Sequence, residues 1–235
     1  MSDEVAAEIQ RALVIVAHPD DAEFGCAGTV AGWTGRGVEV HYIVCTDGEQ
    51  GSADPTVDPI ELRAIRRREQ QGACTILGVA KLDFLGRPDG SLVPDMGLRS
   101  ELVRAIRTFR PDLVVCQNAV RNYGFMGANH PDHLAAGQAA IEAIYPAARN
   151  HYAFPELLAE GLEPHSVAEV WVTGTEEPNH FVDVSHTLDR KLEALRCHRS
   201  QHRRDPGEMV KKRLADNGSA HGLAYAESFR RVISR

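Results

Sequence analysis

The sequence has no long hydrophobic run. Its longest strongly apolar stretch near the start covers residues 12–17, far short of the roughly 20 residues that cross a bilayer, so no membrane span is expected. It has no basic excess either. Lys and Arg number 26 against 33 Asp and Glu, a formal charge of −7. A nucleic-acid partner is therefore not expected, because neutralising phosphates takes a basic field. There is no Cys-x-x-Cys. Cys26, Cys45, Cys74, Cys116 and Cys197 are odd in number and widely spaced, which fits neither a disulfide framework nor a thiolate zinc site. Residues 2–11 are polar and helix-prone and lack the basic-then-apolar pattern of an export signal. Together these absences predict a protein of the reducing cytoplasm. No repeat or low-complexity tract interrupts the chain.

What is present is an ordinary globular composition, 43% hydrophobic and 25% charged over 235 residues. That length buries about 70% of the unfolded surface in a real core. Histidine is the excess: eleven residues, about twice the usual abundance.

Strand and helix patterns alternate through the first 150 residues. Residues 12–17 form a continuous apolar run with three β-branched members, the mark of a strand buried on both faces. Strands are also predicted over 38–45, 81–85 and 112–116. Helices are predicted over 26–36, 60–77, 98–109 and 131–148, the last opened by Pro131. This implies an α/β, Rossmann-like fold. Its mainly parallel sheet takes the order 3-2-1-4-5, with helices on both faces. Beyond residue 150 short strands over 167–172 and 181–184, a helix over 185–200 and a mixed tail form a C-terminal α+β extension. The expectation is one domain over 1–235, with a Rossmann-like core at 12–150 and the extension at 151–235, the latter also a surface for homo-oligomer formation.

Metal-type ligands concentrate in two places. One is Ala17-His18-Pro19-Asp20-Asp21-Ala22-Glu23, directly after the first strand. The other is Asn129-His130-Pro131-Asp132-His133, after the loop that follows the fourth. Strands one and four are neighbours in this order, and their carboxyl ends flank the crevice where such folds bind ligands. Desolvated carboxylates repel one another, and a divalent cation resolves that repulsion. The spacing of His18 and Asp21 lets both face one centre, which leaves Asp20 nearby but free. Pro131 starts a helix, so His130 falls near its N-cap and His133 in its first turn. Two histidines and one carboxylate leave a fourth position open, as at a catalytic zinc. Iron(II) suits the same donors. Read singly, each motif is also ordinary turn or helix-cap chemistry; their joint placement favours a site. His41, inside a strand, reads as structural, and His151, His165, His180 and His221 as surface or loop residues.

The paired motifs resemble the LmbE-like (PIG-L) family of zinc-dependent N-deacetylases. Thr46-Asp47-Gly48-Glu49, Arg66-x-x-Glu69, Leu85-Gly86-x-x-Asp89-Gly90, Asp183 and His198-x-Ser200-Gln201 fit the same pattern, so the resemblance covers residues 12–201. It implies removal of an N-acetyl or other N-acyl group from an amino-sugar-containing small molecule. It implies that His18, Asp21 and His133 hold zinc, and that Asp20 acts as general base toward a metal-bound water. His130, kept charged and oriented by Asp132, is the expected second partner of the oxyanion. Arg66, Asp47, Asp89 and Tyr123 are candidate substrate contacts, and the loop over 121–127 a wall over the metal. The chain departs from some relatives in carrying Ala128 where they have a tyrosine. The basic stretch with Arg196, Arg199, Arg203, Arg204, Lys211, Lys212 and Arg213 reads as a solvated helix face or subunit contact. Competing readings are an amidase on a larger sugar-thiol or secondary-metabolite conjugate, an Fe(II) oxygenase triad, and a non-catalytic metal-dependent sugar-binding module.

Overall fold

The structure, a computed structural model, describes residues 9–124, 126–202 and 204–234. Residues 2–8 of the helix-prone segment, Phe125 of the loop and Arg203 of the basic stretch lie outside the described residues. Alternate residues of β1 (Arg11–Val16) feed two separate cores. Ala12, Val14 and Val16 pack with Trp33, Tyr42 and Leu77 on one face. Leu13 and Ile15 pack with Leu98, Leu102 and Ala139 on the other. A strand with no polar face must sit mid-sheet under helices on both sides. β1 indeed pairs in parallel with β2 (Glu39–Thr46) and with β4 (Leu113–Gln117).

The seven-stranded sheet runs β3-β2-β1-β4-β5-β7-β6, with β3 at Lys81–Arg87, β5 at Glu169–Thr173, β6 at His180–Asp183 and β7 at Ala226–Ile233. Strands β1 to β5 are parallel, as expected. β7 enters antiparallel between β5 and β6. On the Ala12 face lie α1 (Asp21–Gly25), α2 (Ala27–Gly35) and α3 (Pro59–Leu77). On the other lie α4 (Met96–Phe109) and α5 (Pro131–Ile144). Asp58 caps α3 by accepting from the Ile60 amide, and Gly78 ends it in the left-handed region. Gly137 lets α5 reach the end of β4. A Cβ there would lie 2.4 Å from the Gln117 carbonyl oxygen, so the second motif can stand beside the first.

Three stretches depart most from the sequence patterns. The predicted helix over 131–148 stops at Ile144, where Tyr145 turns extended before Pro146 and a short 3-10 turn at Ala147–Arg149. The predicted helix over 185–200 shrinks to α7 (Leu188–Leu195), because residues 198–201 are held as a turn by contacts across the chain. The mixed tail resolves into α8 (Gly207–Ser219) and β7. A short helix, α6 (Pro155–Ala159), precedes β5.

The C-terminal extension reaches into the core beside the first motif. Lys191 of α7 is fully buried. Its ammonium donates to the carbonyls of Glu23 (2.7 Å) and Phe24 (3.1 Å), capping α1, and to Glu227 Oε1 at 2.7 Å. Glu227 of β7 in turn accepts from the amides of Gly28 (2.9 Å) and Thr29 (2.8 Å) and caps α2. Removing one partner of such a pair strands the other charge without water, at a cost of about 3–5 kcal/mol. Lys191→Met is expected to lose that much stability in urea unfolding. Lys212→Met, which breaks an exposed pair with Asp216, should change little.

Candidate active site

The ends of β1 and β4 are tied together. Gln117 Oε1 accepts from the Ala17 amide at 2.8 Å. The first motif leaves β1 there. The His18 amide donates to Asp21 Oδ2 at 2.7 Å, which folds the carboxylate back over the turn. The second motif begins α5, where His130 is the N-cap and its Nδ1 accepts from the Asp132 amide at 3.2 Å.

Three side chains from the two motifs converge. His18 Nδ1 and His133 Nε2 are 3.2 Å apart. His133 Nε2 is 3.1 Å from Asp21 Oδ1, and His18 Nδ1 is 3.4 Å from Asp21 Oδ2. Ligands about 2.0–2.1 Å from a tetrahedral zinc are separated by about 3.3 Å, so the donor set and its spacing fit a divalent cation. The other ring nitrogen of His18 is committed elsewhere. Nε2 lies 3.0 Å from Asp89 Oδ1 and 3.1 Å from Asp132 Oδ2. Two acceptors there hold a proton on Nε2 and leave the Nδ1 lone pair facing the cluster, as metal-ligating imidazoles require. His18, Asp89 and Asp132 also form a compact metal-type group by themselves, as do His18, His130 and His133. Asp132 Oδ2 and Oδ1, however, already accept from the Gly90 (2.7 Å) and Leu92 (3.0 Å) amides. Asp89 Oδ2 accepts from the Gln50 amide at 2.9 Å. These two carboxylates are therefore better placed to orient His18 than to bind an ion.

The electrostatics carry the same demand for a cation. Burial alone would lower the pKa of His18, but hydrogen bonds to Asp132, Asp21 and Asp89 outweigh it and raise it to about 11. Burial acts to raise Asp21, yet the two histidines pull it well below the usual carboxylate range. Asp89 behaves alike: burial opposes, but its bond to His18 leads the effects that bring it down to about 2. A cation on the Nδ1 side answers the carboxylates as the proton otherwise does. Asp20 is different. Burial and repulsion from Asp21 raise its pKa to about 7, against the pull of Arg66. Among the described residues no hydrogen bond ties up its carboxylate, the Arg66 Nη2 being 3.7 Å away, and it lines a pocket of about 510 Å³ with His18, Asp21, His130 and His133.

Several expected roles change. Asp132 does not orient His130 through its carboxylate, because both oxygens are spent on His18 and the β3–α4 loop. Burial and the neighbouring His18 lower the pKa of His130, which works against the expected charged form. Asp47 is no free substrate contact. It is 1% exposed and gripped by Arg67 Nε (2.7 Å) and Nη2 (3.0 Å) and by Arg63 Nε (3.2 Å). Asp89 lines the pocket, but its oxygens serve His18 and Gln50. Arg66 lines the pocket too, and its guanidinium braces the loops, donating to the carbonyls of Gly48 (2.9 Å) and Pro19 (2.6 Å). Gly48, at φ +65°, makes room for it, since a Cβ there would lie 2.2 Å from Arg66 Nη1. Tyr123 is 84% exposed and does not line the pocket. The position of the relatives' tyrosine is Ala128, and no tyrosine lines the pocket among the described residues. Phe24, Gln50 and Gln201 line the pocket and were not singled out as site residues; only Gln201 carried a signal, in the His198-x-Ser200-Gln201 pattern.

Known proteins share this arrangement of chain. The chain is 36% identical over 229 residues to diacetylchitobiose deacetylase of Thermococcus kodakarensis, covering 96% of this chain and 84% of that one. It is 32% identical over 267 aligned positions to 1D-myo-inositol 2-acetamido-2-deoxy-alpha-D-glucopyranoside deacetylase 1 of Saccharopolyspora erythraea, covering 93% and 84%. The solved structure of N,N'-diacetylchitobiose deacetylase from Pyrococcus horikoshii superposes with a TM-score of 0.92 at 31% identity, covering all of this chain and 88% of that one. The family model for PIG-L, GlcNAc-PI de-N-acetylase, matches residues 13–144, a span that holds both motifs. The chain belongs to the PIG-L family of de-N-acetylases.

Proposed function

We propose that this chain is a divalent-metal-dependent N-deacetylase that hydrolyses the acetamide of an N-acetylglucosamine-type unit in a small molecule, releasing acetate and the free amino sugar. The observation that carries the reading is the meeting of His18 Nδ1, Asp21 and His133 Nε2 at 3.1–3.4 Å beside the pocket-lining carboxylate of Asp20. The names of the relatives supply the substrate class. His18, Asp21 and His133 are the proposed ligands and zinc the proposed ion, since two imidazoles and one carboxylate with an open fourth position suit it. Five dispersed cysteines, all free thiols, support a reducing cytoplasm as the compartment.

When bound, the cation acidifies a water and polarises the amide carbonyl. The chain's own groups do the rest. Asp20 takes a proton from the attacking water as its oxygen bonds to the carbonyl carbon. It passes that proton to the nitrogen as the C–N bond breaks. His130 is assigned as donor to the developing oxyanion. Its Nδ1 accepts from the Asp132 amide, so the neutral ring carries its proton on Nε2. Asp89 and Asp132 orient His18 and fix its tautomer. The pocket, with polar Gln50 and Gln201 beside Phe24, suits a sugar with hydroxyls and an apolar ring face.

Purified protein loaded with one zinc equivalent is expected to release acetate from N,N'-diacetylchitobiose, and chelation should abolish this reversibly. Asp20→Asn should lower kcat by about 10²–10⁴-fold with zinc still bound. Metal-loaded protein that binds N-acetylated amino sugars without releasing acetate would overturn the assignment. Calorimetric zinc titration tests the support of His18: Asp89→Asn and Asp132→Asn should each weaken affinity by about 10–100-fold. Affinity equal to that of the unaltered protein would deny them that part.

A further inference from the structure

We infer that Gln70, Glu23 and His198 form a buried positioning relay that fixes the backbone of Asp20 and so aims the carboxylate. The inference rests on the deacetylase reading above.

Asp20 is not a glycine, yet its φ is 89°, a left-handed conformation that an L-residue holds only when its surroundings impose it. That conformation is useful. It lets His18 and Asp21 turn to a common centre while Asp20 faces the pocket. The imposing contact is on its own amide, which donates to Gln70 Oε1 at 3.0 Å. Arg66 Nη2 holds the preceding carbonyl, of Pro19, at 2.6 Å.

A primary amide can sit either way round, and the wrong way would set an NH2 against the Asp20 N–H. Glu23 decides the orientation. Its Oε1 and Oε2 lie 3.0 and 3.1 Å from Gln70 Nε2. A carboxylate only accepts, so the amide must point its nitrogen at Glu23 and its oxygen at Asp20. Glu23 is held in turn by His198, whose Nε2 lies 3.1 Å from Glu23 Oε2. All three side chains are fully buried, and no contact in the chain is replaceable by solvent without rearrangement. His198 reaches this position because Ser200 latches its segment to α3. The Ser200 amide and hydroxyl donate to Glu69 Oε1 and Oε2 at 2.8 and 2.6 Å. The same latch sets Gln201 in the pocket wall. None of Gln70, Glu23 and His198 lines the pocket, so they act through Asp20 and not on substrate.

The test compares two replacements of Gln70 in the zinc-loaded full chain. Gln70→Met keeps the volume and removes the acceptor. Gln70→Glu keeps an oxygen for the Asp20 amide and can share one proton with Glu23. Gln70→Met is expected to lower kcat for acetate release by about 10–100-fold, the scale of a displaced catalytic group, with KM within about threefold and one zinc per chain retained. Gln70→Glu is expected to stay within about fivefold of the unaltered protein in kcat. Amide hydrogen exchange of Asp20, followed by NMR, gives a readout without turnover, and it should quicken at least about tenfold in Gln70→Met but not in Gln70→Glu. An Asp20 exchange rate unchanged by Gln70→Met, or equal losses of kcat in the two variants, would overturn the relay. If the unaltered protein has no deacetylase activity, the functional reading falls and the exchange arm still decides the relay. If Gln70→Met does not fold, Glu23→Gln takes its place. Freed to turn, the Gln70 amide should then give faster Asp20 exchange, and unchanged exchange would refute the inference.

Discussion

The imidazole of His18 is the point on which the site depends. One nitrogen is taken by two carboxylates, Asp89 and Asp132, and the other faces a third carboxylate and a second imidazole. Such a crowd of acceptors around one buried ring needs positive charge at its centre. The fold delivers the pieces from four places. The turn after β1 brings His18, the loop after β3 brings Asp89, Gly90 and Leu92, and α5 with its cap brings His130, Asp132 and His133. α3 supplies Arg66 and Gln70 to hold the turn between His18 and Asp21. The close seat of α5 against β4, open only to glycine at position 137, keeps the two motifs within one coordination sphere.

The parallel core was legible because its signals are local. β1, β2 and β4 carry apolar runs at 12–16, 42–45 and 113–116, and α3 and α5 carry a cap and a first-turn proline. β7 was not legible: Ala226–Ile233 mixes Glu227, Arg230 and Arg231 with Phe229, and its place in the sheet is set by partners far away in the chain. The shortening of the helix over 185–200 has the same origin, since Ser200 and His198 are pulled off helical geometry by Glu69 and Glu23.

At the site, spacing correctly brought the two motifs together, because two motifs at neighbouring strand ends must meet. It could not say which oxygen faces which nitrogen. Asp132 lies next to His130 and His133 in sequence, but the loop after β3 supplies two amides that turn its carboxylate to His18. Asp47 sits on the rim where substrate was expected, yet Arg63 and Arg67, four apart on α3, close on it. Gln70 carried no signal, because a glutamine in a charged helix stands out only once it proves buried. Glu23 closes the first motif, but nothing local shows that it turns to Gln70 and His198. The extension likewise reads as decoration in sequence. Lys191, His198 and Glu227 instead carry it into the frame of the first motif.

The central claim is that one divalent cation sits on the Nδ1 side of His18, between the two motifs. X-ray absorption at the zinc edge of the loaded protein tests it most directly. The predicted spectrum has nitrogen and oxygen neighbours at about 2.0–2.1 Å, two of them imidazoles, with one imidazole lost in His133→Ala. A sulfur neighbour at about 2.3 Å, or a spectrum that His133→Ala leaves unchanged, would contradict the account.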